Sequence, residues 1–466
     1  MKKSYHFIGI GGIGMGALAF LLMEKGHRVS GSDLKQNAMT SRLKEAGADI
    51  SACHAAENIN DADVVVYSSA IKEENPELKA ARALGKEVLR RAQLLAQLME
   101  NQTGVTVAGA HGKTTTSSML AALLTKTGFH PTIAVGGIPM ETSSNAGLGE
   151  GKYFVAEVDE SDGTFLYFSP KYSVITNIDY EHVDHYKDFN DLLKCYRQFI
   201  EQTQPDGAVI ACGDDPNVRQ ILSTTHVSYV TYGESPDNDF HISDYSCDGR
   251  TAKFKCYQKG AELGQVALNV LGKHNALNAL ASVIVGLQLE IPFSKIADAL
   301  KTFRGVQRRF QLKGDVGGIR VIDDYAHHPA EIACVLSTVE SLCPENLIVV
   351  FQPHRYSRLQ AFRNDFIKVL SVCPNLLVTD VYAASELPIE GISGGDFAKN
   401  MRQAGYTQVQ YVVKEQITEY LTTHARRGDI VLMLGAGDIT DISQDFVEAL
   451  RQKSGSDAPV KIVTGC

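Results

Sequence analysis

The residues best placed to do chemistry stand together at Gly109–Thr116, G-A-H-G-K-T-T-T. The preceding Gly104–Ala108 is short, apolar and β-branched, as in a buried strand. After it, Met119, Leu120, Leu123 and Leu124 repeat at helical spacing through Ser117–Thr127. Strand, glycine turn and helix in that order form a phosphate cradle. Backbone N–H groups at the helix start point at an anion, and the helix dipole favours negative charge there. In such a loop Lys113 reaches the β/γ-phosphates and the Thr114 hydroxyl holds Mg²⁺. The loop departs from G-x-x-x-x-G-K-[ST] because Val107 occupies the first glycine position. The alternative is a tight strand–helix turn with a surface lysine.

A second glycine pattern lies at the start of the chain. Tyr5–Ile10 reads as a strand, Gly9, Gly11 and Gly14 give G-x-G-x-x-G, and Met15–Glu24 reads as an apolar helix. A strand His27–Ser30 then leads to Asp33. This is a nucleotide-binding βαβ pattern for a diphosphate-containing ligand, with an acid about 20 residues on. It competes with a glycine turn that only packs helix on strand. Val64–Tyr67 reads as the next strand and ends in Ser68-Ser69.

Two polar clusters follow predicted strands of the middle region. Asp159-Glu160-Ser161-Asp162 follows Tyr153–Val158, and Asn177–His185 follows Tyr172–Thr176. In an open parallel sheet both fall on the rim that carries the phosphate loop. Glu157 offers a hard carboxylate for Mg²⁺. His182 is open between metal ligand and satisfied strand-end histidine, and Asp159, Asp162 and Asp184 between ligands and caps. Gly272–Asn278 opens a helix with His274 and Asn275, either a nucleotide edge site or simple capping. Arg308, Arg309, Arg355 and Arg358 are cations near strand ends, and arginine forks suit carboxylate and phosphate. His327 and His328 precede Pro329 in a polar turn.

The elements that must position these residues are α/β units. The 466 residues suggest about three domains, with breaks near Glu100–Gly104 and Thr302–Arg308. Val227–Val270 alternates and predicts antiparallel hairpins, and residues from about Gln452 read as a loose tail. Charged residues make up 21% and the net charge is −9, which disfavours nucleic acid and anionic membranes as partners. No apolar run approaches the ~20 residues of a spanning helix. The first residues break into glycine too early for a signal peptide. Nine scattered cysteines without C-x-x-C fit reduced thiols and a cytoplasmic location.

Taken in order, these stretches resemble the Mur ligases of bacterial cell-wall synthesis. The matching runs are G-I-G-G-I-G-M-G from Gly9, G-A-H-G-K-T-T-T from Gly109, E-V-D-E-S-D from Glu157 and T-N-I-D-Y-E-H-V-D from Thr176. G-K-H-N-A-L-N from Gly272, R-R-F from Arg308, D-D-Y-A-H-H-P from Asp323, F-Q-P-H-R-Y-S-R from Phe351 and G-A-G-D-I from Gly435 follow. Glu181 stands where many relatives have Asp, and Ala326 where many have Gly.

The resemblance implies three α/β domains: a Rossmann-like UDP-sugar domain at 1–101, a central ATPase domain at 102–305 and a Rossmann-like amino-acid domain at 306–466. It implies ATP-dependent joining of L-alanine to the carboxylate of UDP-N-acetylmuramate through an acyl phosphate. It implies ATP at Gly109, Ala110, His111, Gly112, Lys113, Thr114, Thr115, His274, Asn275, Arg309 and Asp324. Mg²⁺ would sit at Thr114, Glu157 and His182. The UDP-sugar would take Gly9, Gly11, Gly12, Gly14, Asp33, Ser68 and Ser69. L-alanine would take Tyr325, His327, Arg355 and Arg358. Lys113, Glu157, His182 and His327 are the catalytic candidates, in a monomer or a homodimer. A peptide-recycling ligase would share most motifs. A nicotinamide oxidoreductase would not need the separate phosphate loop, and a nucleotide switch would not need the arginine pair.

Overall fold

The computed structural model describes residues 2–142, 144–181 and 186–454. His182, Asp184 and the chain beyond 454 lie outside the described residues. The chain forms two compact units. The first holds the chain before Cys247 together with Ala252–Asn269 and His274–Val306. The second holds the chain from Gln307 on, with Cys247–Thr251 and Val270–Lys273.

The first unit contains two sheets. The smaller has the strand order Asp49–Ser51, Arg28–Ser32, Ser4–Ile8, Val64–Tyr67, Glu87–Arg90, all parallel. The order reverses between Ser4–Ile8 and Val64–Tyr67, so a ligand crevice opens beyond their carboxyl ends. The glycine loop lies there and feeds the helix Ile13–Glu24, whose Met15, Leu18, Leu21 and Leu22 are buried.

The larger sheet has ten strands. Its centre is Thr103–Ala108, flanked by parallel Tyr172–Ile175 and Tyr153–Glu157. All four residues of Tyr172–Ile175 are buried, as β-branched strands covered on both faces must be. The helix Lys113–Lys126 is buried along most of its length, down to the hydroxyls of Thr116, Ser117 and Ser118. It starts at Lys113 rather than near Ser117, because Gly112 in the left-handed region turns the chain straight into it.

The expected hairpin exists at Ala252–Gln258 and Ala261–Leu268, closed by Lys259-Gly260, both at positive φ. The preceding strands differ from expectation. Tyr229–Gly233 and Phe240–Cys247 run parallel, paired through Tyr232 with Phe240 and Gly233 with His241. Asp239 accepts from the Thr231 amide and hydroxyl (2.9 and 3.0 Å), and Asp214 accepts from Asn238. These ties carry the chain across instead of folding it back.

The second unit has one six-stranded sheet in the order Gln311–Val316, Ile319–Asp324, Asp429–Leu434, Asn346–Phe351, Asn375–Val378, Val409–Tyr411. The first strand is antiparallel and the others are parallel. Helices cover both faces, so Asp429–Leu434 is buried throughout. The helix Ile439–Ser454 continues past Gln452, where a tail was expected, because Phe446, Val447 and Leu450 pack on the sheet.

A buried carboxylate fastens the smaller sheet. Glu77, fully buried at the start of the helix Pro76–Ala83, accepts from Ser32 Oγ (2.6 Å) and Asn58 Nδ2 (2.5 Å) and faces His54 and His6. Burial would raise its pKa, but the facing His6 and hydrogen bonds from Ser32 and Asn58 hold it down at about 2. The carboxylate therefore stabilises the fold fully above its ordinary value of 4.5, and that contribution, on the order of 3 kcal/mol, is lost as pH falls toward 2. Glu77→Gln is expected to lower stability at pH 7 by roughly 1–3 kcal/mol and to flatten the acid-side slope between pH 4.5 and 2. Urea unfolding at a series of pH values measures both.

Candidate active site

In the larger sheet the carboxyl ends of three adjacent strands present the glycine turn 109–112, Glu157 and Thr176-Asn177 side by side. Gly109 (φ +132°) and Gly112 (φ +83°) adopt backbone conformations that side chains disfavour. Asn177 clamps the turn between them. Its backbone carbonyl accepts from Ala110 N, its side-chain oxygen accepts from His111 N (2.9 Å), and its amide donates to His111 O (2.9 Å). The Thr176 hydroxyl also donates to His111 O (2.6 Å). The amides of Ala110 and His111 are thus spent on the clamp. The first-turn amides of Lys113, Thr114 and Thr115 have no acceptor within their own helix, and these are the donors for an anion.

Lys113 Nζ donates to Gly109 O (2.5 Å) and Ala110 O (3.2 Å) and pairs with both oxygens of Glu160 (2.9 and 3.0 Å). Burial would lower its pKa, but the charges of Glu160, Asp159 and Glu157 outweigh burial and hold it above the ordinary lysine value. Thr114 Oγ1 donates to Glu157 Oε1 (3.1 Å), and Gly136 N donates to Glu157 Oε2 (2.8 Å). A Cβ on Gly136 would collide with that carboxylate. The adjoining hydroxyl and carboxylate oxygens are the hard donors that Mg²⁺ prefers. Asn275 and Asn278, joined side chain to side chain (3.2 Å), stand beside the loop, since a Cβ on Gly112 would lie 2.8 Å from Asn278 Oδ1. His274 opens the same helix, Lys273–Gln288.

In the smaller sheet Gly9 N and Ile10 N donate to Ser32 O (2.8 and 3.1 Å). Asp33 accepts from Gly11 N (2.8 Å) and Lys35 N (2.9 Å), and Asn37 donates to Gly11 O (3.0 Å). Asp33 therefore shapes the glycine loop. A Cβ on Gly11 would lie 2.8 Å from its carboxylate, and one on Gly14 would meet Arg91. Gly12 caps the helix, and the Ser68 hydroxyl, just before Ser69, faces Gly9 across the switch point.

In the second unit three more strand ends meet. Asp324 closes its strand, Ile319–Asp324. It accepts from Phe310 N (2.7 Å) and Ala326 N (2.6 Å), which ties the R-R-F segment to the histidine turn. Burial pushes its pKa up to about 6 against the opposing charge of Arg309. The guanidinium groups of Arg308 and Arg309 lie over the Tyr325 ring at 4.8 and 5.0 Å. Arg308 also donates to Gly435 O and Gly437 O (2.9 and 2.7 Å). His327 N donates to Glu331 Oε2 (3.0 Å), and His327 Nδ1 stands 3.0 Å from Tyr325 O. A carbonyl only accepts, so Nδ1 carries a proton.

Arg355, at φ +66°, precedes the short helix Tyr356–Ala361 that carries Arg358. Arg355 N donates to Tyr382 O (2.9 Å), and its side chain faces Glu386 at 3.9 Å. His354 stacks on Tyr382, and its Nδ1 meets Arg358 Nη1 at 3.1 Å. Burial, then the charges of His327, Arg358 and Arg355, push the His354 pKa down to about 3, so it is neutral and accepts from the guanidinium. The unit thus brings Tyr325, His327, Arg355 and Arg358 to one rim.

Sequence reasoning did not assign Asn177, Glu160, Gly136, His354 or Tyr382. His354 lay in the quoted P-H-R turn, and Asn177 and Glu160 in quoted polar runs. Only the neighbouring strands show what these side chains touch.

The folds are those of ATP-dependent amide ligases of the Mur type. The Mur ligase family models match in succession: the catalytic domain over residues 4–103, the middle domain over 107–286 and the glutamate ligase domain over 308–437. The chain belongs to the Mur ligase family.

Among particular relatives, it is 44% identical over 452 residues to the UDP-N-acetylmuramate–L-alanine ligase of Syntrophotalea carbinolica, covering 97% of this chain and 99% of that protein. The crystal structure of the UDP-N-acetylmuramate–alanine ligase from Thermotoga maritima superposes with a TM-score of 0.83 at 30% identity, over 97% of this chain and all of that one. A murein peptide ligase from Psychrobacter arcticus shares the fold, with a TM-score of 0.71 at 22% identity over 98% of this chain and all of that one.

Gly112→Ala tests the turn. The left-handed conformation costs a side chain roughly 1–2 kcal/mol, and the new methyl would meet Asn278. The expected result is a lower thermal midpoint together with weaker ADP binding by calorimetry.

Proposed function

We propose that this chain is an ATP-dependent ligase that joins L-alanine to the carboxylate of UDP-N-acetylmuramate, releasing ADP and phosphate, in peptidoglycan precursor synthesis. The observation that carries this reading is its full-length relation to ligases of that name, spanning all three sheets. The residues suit the reaction. The UDP-sugar binds at the glycine loop of the smaller sheet, beside Gly9–Gly14 and Ser68. ATP binds at the turn 109–112, with its phosphates on the first-turn amides of the following helix and on Lys113. His274 and Asn275 at their helix opening complete the proposed nucleotide contacts of the first unit, and Arg309 is a further proposed ATP-binding residue. Asp324 belongs to that proposal through the Arg308–Phe310 segment it holds.

Thr114 and Glu157 would hold Mg²⁺, with His182 in the same reading. When bound, that ion neutralises charge on the polyphosphate. The muramate carboxylate attacks the γ-phosphorus, a P–O bond forms, and the bond to ADP breaks. Lys113 answers the charge that builds up as two anions approach. The alanine amine then attacks the acyl carbon, the C–N bond forms, the C–O bond to phosphate breaks, and the ammonium proton is lost. His327, oriented by its Nδ1 contact with the Tyr325 carbonyl, presents Nε2 as the group suited to take that proton. Arg355 and Arg358 offer forks to the alanine carboxylate, and Tyr325 lies beside His327. Among the described residues no helix is long and apolar enough to cross a membrane.

Phosphate release with UDP-N-acetylmuramate, ATP, Mg²⁺ and each amino acid in turn tests the reading. L-alanine should give the highest kcat/KM, and a tripeptide acceptor preferred over it would reassign the chain to peptide recycling. Lys113→Ala should remain folded by circular dichroism and lose ligation. Arg358→Ala should raise the KM for L-alanine about tenfold or more and leave that for ATP nearly unchanged. Arg358→Lys should rescue poorly, because it keeps the charge and not the planar fork.

A further inference from the structure

The proposed function leaves Glu160 without a task, although its side chain is almost fully buried directly against the phosphate loop. A lysine ammonium has three protons to donate. Lys113 already faces four acceptors: Gly109 O, Ala110 O and both oxygens of Glu160. All three protons are therefore committed within the protein. A phosphate oxygen gains a hydrogen bond from Lys113 only if one of these acceptors yields. The two carbonyls are fixed by the glycine turn, whose Ala110 and His111 are clamped by Asn177. Glu160 is attached through a flexible stem, so it is the partner able to give way. Its backbone is anchored independently, because Glu160 O accepts from Tyr186 OH and from Gly163 N (3.0 Å). The carboxylate can release Lys113 while its own main chain stays in place.

We infer that Glu160 is a positioning residue: it holds Lys113 in the loop and competes for it with the phosphates of an incoming nucleoside di- or triphosphate. The pair keeps a buried ammonium oriented while no nucleotide is bound, and it makes nucleotide binding an exchange of one anion for another. Glu160 thereby weakens nucleotide affinity and eases release of the diphosphate product. This rests on the reading of Lys113 as the phosphate-binding lysine.

The experiment is calorimetric titration with ADP of the wild type, Glu160→Gln, Glu160→Asp, Lys113→Ala and the Lys113→Ala/Glu160→Gln double variant, with steady-state kinetics of the active ones. Glu160→Gln should bind ADP at least about threefold more tightly. Its KM for ATP should fall, and the KM values for UDP-N-acetylmuramate and L-alanine should hold. A residue that served only the fold would weaken binding instead. Glu160→Asp, which restores the charge, should return the Kd toward that of the wild type. In the Lys113→Ala background Glu160→Gln should gain distinctly less, because no lysine remains to compete for. Unchanged or weaker ADP binding by Glu160→Gln overturns the inference, as does an equal gain with and without Lys113. Wild-type ADP affinity in Lys113→Ala overturns the reading of the lysine itself, a failure distinguishable from the others.

Discussion

One cation buried among acids governs the first unit. Lys113 lies close to Glu160, Asp159 and Glu157, whose charges keep it protonated against the pull of burial. In the proposed reading a polyphosphate brings further negative charge to the same place. The site must therefore hold its positive charge rigidly, and the surrounding structure follows from that need. Two glycines turn the chain directly from strand to helix, Asn177 locks the turn, and the helix behind it is buried down to its hydroxyls. Glu157 is held from two sides by the Thr114 hydroxyl and the Gly136 amide, so its oxygens stay where a hard cation would use them.

The second unit meets a different demand with similar architecture. In the proposed reading its rim offers arginines to a small carboxylate, with Arg355 facing Glu386 at 3.9 Å and Arg309 facing Glu331 at 3.7 Å. Tyr325 carries two guanidinium groups over its ring, and Arg308 is further committed to the Gly435 and Gly437 carbonyls. His354, kept neutral by burial and neighbouring cations, accepts from Arg358 without adding charge. Asp324 works below the surface and fastens the arginine segment to the histidine turn.

Much of this was legible in the residues. The glycine patterns at Gly9 and Gly109, the strands before them and the polar runs at their carboxyl ends follow from local chemistry, and the order of the motifs carried the family. What was hidden depends on partners distant in sequence. Asp324 lies in the quoted run D-D-Y-A-H-H-P, and it ends a strand because the neighbouring strand Asp429–Leu434 extends the ladder to it. Asp33 reads as the acid of the nucleotide-binding pattern, and only the structure shows that its oxygens accept from Gly11 N in the glycine loop and from Lys35 N. Alternation at Val227–Val270 predicted the antiparallel hairpin but not the parallel pairing of Tyr229–Gly233 with Phe240–Cys247, where Asp214 and Asp239 tie the link between the strands. Glu77, an unremarked acid in N-P-E, proved to be the buried fastener of the first sheet.

The central claim is that the muramate carboxylate is activated by phosphoryl transfer before the amine attacks. Oxygen transfer tests it most directly. With UDP-N-acetylmuramate carrying ¹⁸O in its carboxylate, plus ATP, Mg²⁺ and L-alanine, each turnover should place one labelled oxygen in the released phosphate. Mass spectrometry of that phosphate reads the result. Phosphate free of label, formed in step with amide product, would contradict an acyl-phosphate route and with it the roles derived for both units.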